Sequence, residues 1–517
     1  MIICFIERNG NKWYNINNTY KYLVKEIFQN GKSWMKVNFI MKNRFKIIKN
    51  IIIGLICLCS ISYLFTHYDG REYENKYVND YIERMCEIGD IPGISIAVLD
   101  DEEEYYINQG YANKKAKIEL NNDTKFELGS TTKAFTALGI LLLEQDNKLN
   151  RNDSVNKYLP WFLPTYKGKA VDVTIEHLLC HTSGVPSWTI SNIPIGTIND
   201  SELLEETVKT IQAINLESLP GTAHNYATIN YDVLALIIET VTGIKYEQYI
   251  EQNILYPLEM TNSYFRVDDS KLNNLAQGYR YKLLGARKYD APTFYGNTAA
   301  GYLISNIKDL MIWMKAQIGI YDIEITETIE KLKSAIIESH SYPIEKGQNY
   351  FAGWNLYDTY FCHGGNNPNF SSQVIIDSTD KKAVFALANI SGPATTKTVD
   401  GVYRILHGEK VKIGFFMDGN SLIDLFSIIF FLIELYIAII LFEKRNWRRN
   451  STFVKAIISL IMAFIIIALP YILHYNYLTL SIWFSPCFIF EIVGSAICFI
   501  LYFIGYMYNR KHIKRKF

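Results

Sequence analysis

The segment Phe126-Glu127-Leu128-Gly129-Ser130-Thr131-Thr132-Lys133 places a hydroxyl and an amine three residues apart, just before the apolar run Ala134-Phe135-Thr136-Ala137-Leu138. Positions i and i+3 of a helix share a face, so Ser130 and Lys133 are expected side by side. A serine hydroxyl is a poor nucleophile and needs a base beside it. A lysine held partly out of water is neutral enough to take its proton. The helix start adds backbone N–H groups and a positive field. The chemistry implied is acyl transfer through a serine. Ser-x-x-Lys by itself also describes an ordinary helix start with a surface lysine, so its weight depends on what else the chain supplies.

Two further segments supply candidates. His224-Asn225-Tyr226-Ala227-Thr228 precedes a second apolar helical pattern, Val233 to Glu239. A phenol beside a lysine ammonium is stabilised as phenolate, which makes Tyr226 a candidate base and acid. His363-Gly364-Gly365-Asn366 stands just before two late strand-like runs. A glycine-rich edge strand lets backbone approach a substrate closely and offers an N–H to a developing oxyanion. Glu127 is a candidate charged wall of the same cleft, or else a charge near the helix start. Taken singly, Tyr226 is one of 37 tyrosines and His363-Gly364-Gly365 reads as a turn. Their order along the chain gives them meaning.

The elements that must position these residues alternate short strands with amphipathic helices and Gly/Pro turns over residues 80–410. Ile94 to Leu99 is strand-like, bounded by Pro92-Gly93 and Asp100-Asp101. Val374 to Ile376 and Ala383 to Ala388 form a late strand pair around Asp377-Ser378-Thr379-Asp380. No internal repeat or low-complexity stretch interrupts them.

The order Ser-x-x-Lys, Tyr-x-Thr, His-Gly-Gly resembles the three motifs of class C β-lactamases, D-alanyl-D-alanine carboxypeptidases and related esterases and peptidases. Leu178-Leu179-Cys180-His181-Thr182-Ser183-Gly184 and Pro257-Leu258-Glu259-Met260 resemble the family too. The resemblance implies an α/β (α+β) β-lactamase/DD-peptidase fold: an antiparallel sheet flanked by helices, plus an all-helical domain. It further implies Ser130 as acylated nucleophile, with Lys133 and Tyr226 sharing the proton traffic. His363 is expected in place of a lysine, bonding substrate or the Tyr226 oxygen. The N–H groups of Ser130 and Asn366 are expected to form the oxyanion hole, with Gly365, Thr228 and Glu127 lining the substrate site. His181 is expected to cap a loop and order Gly184. One departure stands out: Thr228 holds a position that is Asn in the usual Tyr-x-Asn motif. A hydroxyl lacks the amide's reach, which argues against efficient β-lactam hydrolysis.

The chain's apolar excess lies at its ends. Lys42, Arg44, Lys46 and Lys49 sit at or before the start of the apolar run Ile47 to Phe65, the pattern of a signal anchor over 47–66. Residues 1–46 then form a cytoplasmic arm, or begin upstream of a true start at Met41. Ser421 to Phe442, Phe453 to Leu473 and Ile482 to Met507 are each long enough to cross a bilayer, suggesting a transmembrane bundle over 421–442, 453–474 and 482–507. Basic clusters before Ile47, at Lys444 to Arg449 and at Arg510 to Lys516 all fall inside if residues 67–420 lie outside. Multi-pass insertion with an extracytoplasmic catalytic domain is therefore expected. Glu434 and Glu491 fall within the helices, either bonding a neighbouring helix or lining a polar path.

Fifty-two basic and 52 acidic residues leave no net charge, so nothing favours nucleic acid as a partner. The expected partners are a small-molecule or peptide substrate and the lipid bilayer. The eight cysteines form neither a disulfide framework nor a zinc pattern, and no metal or organic cofactor is implied. The substrate expected is an amide or ester, probed best as a D-amino-acid-containing peptide or N-acyl-D-amino-acid conjugate. A β-lactamase, a cell-wall carboxypeptidase and an idle penicillin-binding sensor are the alternatives.

Overall fold

Alternation of apolar residues along Gly93–Asp100 (β1) decides the architecture. Ile94, Ile96 and Val98 enter one buried cluster, Ala97 and Leu99 the other, so both faces of this strand are covered. The computed structural model describes residues 68–195, 202–265, 273–282, 285–341, 349–443 and 450–514. From Asp69 onward they belong to one unit. The expected arm and anchor at 1–46 and 47–66 lie outside the described residues.

The main sheet is antiparallel and eight-stranded. After β1 come Glu103–Asn113 (β2), Ile118–Glu119 (β3), Tyr350–Phe351 (β4), Trp354–Leu356 (β5), Phe361–Asn366 (β6), Ser371–Asp377 (β7) and Lys382–Ala388 (β8). Their order across the sheet is β4-β5-β6-β7-β8-β1-β2-β3. The first and last strands of the domain meet at its centre: Val98 pairs with Val384 and Ile94 with Ala388. Helices Val78–Ile88 (α1) and Ala394–Leu406 share the core on one face.

The other face carries the site. Thr132–Gln145 (α2) is buried from Thr132 to Leu143 without a solvent stripe, because it runs between the sheet and a helical lobe. Phe135 stacks on Trp313 at 3.8 Å, both rings nearly inaccessible. The lobe includes Ile175–Leu179 (α3), Leu203–Lys209 (α4) and Ile229–Thr242 (α5), the last ended by left-handed Gly243. Thr298–Gly301 (α6) then returns the chain to α2. The architecture is thus an antiparallel sheet flanked by helices with an added helical lobe, as expected from the motifs.

Beyond the domain run Gly419–Glu443 (α7), Asn450–Ile472 (α8), Tyr477–Trp483 (α9) and Pro486–Lys514 (α10). The run taken as one span over 482–507 is in fact divided. Ile482 and Trp483 are the last residues of the short α9, and the chain restarts at Pro486, a residue suited to a first helical turn. Within α10, Pro486–Ile504 is long and apolar enough to cross a membrane. Ala456–Ile472 and Tyr477–Trp483 qualify only as a pair bent by 74°. Glu434 of α7 and Glu491 of α10 both accept from the Ser495 hydroxyl, which ties two helices together at a polar point.

Replacing Trp313 with Ala removes the stacked partner of Phe135 beneath α2. The expected cost is about 3–5 kcal/mol, seen as a lowered thermal-unfolding midpoint of the full-length chain.

Candidate active site

Strand pairing fixes the serine. Lys125–Glu127 pairs with Leu303–Asn306 and then breaks into a 3-10 turn, Gly129–Thr131, that feeds directly into α2. Gly129 has φ +59°, a conformation a side chain would strain. A methyl there would sit 2.6 Å from the Asn366 nitrogen, and one on Gly365 would sit 2.9 Å from the Ser130 nitrogen and 2.0 Å from the Leu128 oxygen. The serine turn and the edge of β6 are therefore pressed backbone to backbone. The nitrogens of Ser130 and Asn366 lie on either side of that contact. The Thr131 hydroxyl, donating to the Leu128 oxygen and lying 3.0 Å from the Ser372 hydroxyl, pins the turn to β7.

Lys133 is wholly buried at the start of α2. Its Nζ lies 3.0 Å from Ser130 Oγ, 3.2 Å from Thr228 Oγ1 and 2.7 Å from the Ala300 carbonyl oxygen. Burial pulls its pKa down to about 7, while Asp232 opposes that shift. Burial also drives the Asp232 carboxyl well upward, although Asn297 donates to it at 2.6 Å. The Asp232 carboxyl is thus favoured in its neutral form, and the Lys133 ammonium gives up its proton near neutral pH. A neutral amine has two N–H bonds and one lone pair. The Thr228 and Ala300 oxygens take the two N–H bonds, which leaves the lone pair for the Ser130 proton.

Tyr226 precedes α5 by three residues, and the Lys133 amine lies 5.2 Å from its ring centroid. Burial raises the phenol's pKa well above its ordinary value, and the Ser130 hydroxyl only partly offsets this. The phenolate expected from sequence is therefore not the resting form. With the lysine near neutral, no lasting positive charge holds a phenolate, and Tyr226 is a proton donor beside the nucleophile.

His363 departs from expectation. Its Nε2 lies 3.1 Å from the Tyr350 hydroxyl, while its ring centroid stands 6.3 Å from that of Tyr226. Burial, reinforced by Lys133, lowers its pKa to about 3, so it stands as a neutral imidazole and not as a cation replacing lysine. His181 packs its ring 4.1 Å from Tyr226 and pairs its Nδ1 with Asn230 Nδ2, while its carbonyl accepts from the Asn225 N–H. Its ring packs on the phenol, and through Asn230 it reaches the Ser183 hydroxyl beside Gly184, whose carbonyl accepts from the Glu217 N–H.

Ser130, Tyr226, Thr228 and Asn366 line one cavity of about 110 Å³. Glu127 does not reach it. Its carboxylate turns inward to accept from Asn367 Nδ2 at 2.7 Å, and it borders a separate hollow near Leu275 and Phe370. The reason is strand alternation: Glu127 ends its strand pointing away from the serine turn. Sequence reading missed the Ala300 carbonyl, Asp232, Asn297, Tyr350 and Asn367. The segment Ala299-Ala300-Gly301-Tyr302 resembles the family in sequence, but that likeness does not reveal the role of its Ala300 carbonyl. The others look like ordinary helix or loop residues.

A mixed α/β domain holding serine, lysine and tyrosine about one cavity is that of a β-lactamase-type serine hydrolase family. The chain belongs to that family, since residues 78–409 match the model described as Beta-lactamase. Among curated relatives, Protein flp of Staphylococcus aureus (strain MRSA252) is 30% identical over 425 residues, covering 77% of this chain and 83% of that one. Penicillin-binding protein 4* of Bacillus subtilis (strain 168) is 31% identical over 222 residues, 41% of this chain and 47% of its own. The octameric penicillin-binding protein homologue from Pyrococcus abyssi superposes with TM-score 0.55 at 28% identity, covering 64% and 77% of the two chains. A class C beta-lactamase superposes with the same TM-score, 0.55, at 21% identity, over 64% of this chain and 95% of its own, which speaks to the fold alone.

If Ser130 is acylated with Lys133 as its base, acylation needs the amine deprotonated. Its rate should therefore rise as pH passes through about 7 and level off above that value, measured as the rate of labelling by a fluorophosphonate between mildly acidic and mildly alkaline pH. Gly365→Ala, which drives a methyl into the serine turn, should slow labelling by about 100-fold while far-UV circular dichroism stays unchanged.

Proposed function

We propose that this chain is a membrane-held serine hydrolase that cleaves an amide or ester through an acyl-enzyme. The single observation carrying the reading is the buried Lys133 amine 3.0 Å from Ser130 Oγ, its other bonds already assigned to fixed acceptors. Lys133 takes the Ser130 proton as the oxygen attacks the substrate carbonyl. The oxyanion that forms is held by the N–H groups of Ser130 and Asn366. Collapse expels the amine or alcohol, which takes a proton from Tyr226, and Lys133 returns one to the phenol. Water then attacks the ester on Ser130 and releases the acid.

Thr228 supports a substrate other than a β-lactam. Its hydroxyl accepts from Lys133, and the hydrogen and lone pair it keeps do not extend as far as the amide of the usual Asn. An N-acyl-D-amino-acid amide or a short D-peptide is the preferred class. Insertion by way of α10, with residues 67–420 outside the cytoplasm, fits the apolar stretch Pro486–Ile504 and the basic tail that follows it. A penicillin-binding sensor that acylates without turnover is the second reading. It is favoured by the relative named Penicillin-binding protein 4*.

Ser130→Ala should abolish fluorophosphonate labelling and lower ester hydrolysis by at least about 1,000-fold. Turnover in that variant equal to the unmodified chain would remove the proposal. Stable labelling of the unmodified chain with no product release would favour the sensor.

A further inference from the structure

The cavity at Ser130 has a wall from outside the family domain. Trp483, at the end of α9, lines it together with Ile190, Ile193, Phe294 and Tyr302. Ile193, Phe294 and Tyr302 form an apolar cluster with Ile482, against which Ile190 and Trp483 pack. Trp483 lies far beyond residues 78–409. The end of the pocket facing Ser130 is polar, and the opposite end is apolar and built partly from the turn between two hydrophobic helices.

That turn is fastened deliberately. Arg280 is 8% exposed, and its Nη1 donates to the carbonyls of Ser481 at 3.0 Å and Phe484 at 3.4 Å. A guanidinium at a helix C-terminus complements the helix dipole, and this one also lies 4.0 Å over the Tyr289 ring. The Tyr289 hydroxyl donates to the Ile482 carbonyl at 3.3 Å. At the other end of the turn Asn476 Nδ2 donates to the Ser191 carbonyl at 2.9 Å, and Trp188 stacks on His474 at 4.6 Å. Four side chains thus hold α9 in place over the pocket. The same turn leaves Tyr471, Ile472, Leu473 and Leu478 each more than half exposed, apolar side chains unpartnered at the end of α8 and the start of α9.

We infer that α9 is a specificity element: it receives the apolar group flanking the scissile carbonyl of an amphiphilic ester or amide presented from the membrane surface. The inference rests on the acyl-enzyme reading and narrows its substrate to one carrying an apolar chain next to the reacting carbonyl. The cavity volume of about 110 Å³ suits the first part of such a chain, with the remainder continuing along the exposed turn. Trp483 acts by contact with the substrate. Arg280 acts through α9 and is a positioning residue.

The test uses the full-length chain in lipid nanodiscs and compares kcat/KM for p-nitrophenyl acetate, butyrate and octanoate. The unmodified chain is expected to favour butyrate and octanoate over acetate by about tenfold or more, the scale on which an apolar pocket discriminates added methylenes. Trp483→Ala should bring that ratio close to one, and Trp483→Phe should keep most of it. Fluorophosphonate labelling of each variant reports whether the serine site is intact. If Trp483→Ala is not labelled, Arg280→Gln decides, because it loosens α9 from outside the cavity and should also flatten the ratio. An unchanged chain-length ratio in a labelled Trp483→Ala, or in Arg280→Gln when that variant decides, would overturn the inference. Absence of labelling in the unmodified chain would instead sink the acyl-enzyme reading.

Discussion

Taking one amine out of water is the constraint around which the catalytic domain is arranged. An ammonium buried without a full complement of charge partners is costly, and the usual escape is loss of the proton. Lys133 is buried because α2 has no solvent face, and α2 has no solvent face because the sheet covers one side and the helical lobe the other. Its neighbours add no settled counter-charge. Asp232 is itself driven toward the neutral form, and the two remaining contacts are a hydroxyl and a carbonyl. The architecture of the whole domain thereby sets the protonation state of a single nitrogen.

The second requirement is close approach of two backbones. The serine turn and the β6 edge could not meet if either Gly129 or Gly365 carried a side chain. Register carries this contact through the sheet: Gly365 pairs with Ser372, which is beside Thr131, and Ser372 pairs with Leu387 in the neighbouring strand. Aromatic packing supplies the remaining restraint. His181 and Tyr350 flank the Tyr226 phenol, with Tyr350 also occupying His363.

Much of this was legible in the chain and some was not, for physical reasons. Ser130, Lys133, Tyr226 and Thr228 were readable because i,i+3 spacing and helix starts are local properties; Ser130, Tyr226 and Thr228 do line one cavity, with Lys133 bonded to Ser130 and Thr228 behind it. The strands at Ile94–Leu99, Val374–Ile376 and Ala383–Ala388 were readable because burial on both faces leaves unbroken apolar runs. Glu127 misled because one residue along a strand reverses the face, and spacing from Ser130 does not reveal where a strand ends and a turn begins. His363 misled because its partner, Tyr350, arrives from β4, two strands away across the sheet. The break before Pro486 was hidden because apolar residues continue on both sides of it, so hydropathy alone joined two helices.

The docking of α9 on the catalytic domain has a consequence for biogenesis. Residues 129–133, 226–228 and 361–366 can gather as soon as the sheet closes, but Trp483 leaves the ribosome well after them. During synthesis there is an interval in which the nucleophile is assembled while one side of its chamber is still open. Selectivity is therefore the last property this molecule acquires, and it is acquired only when the tail of the polypeptide has settled against a domain finished long before.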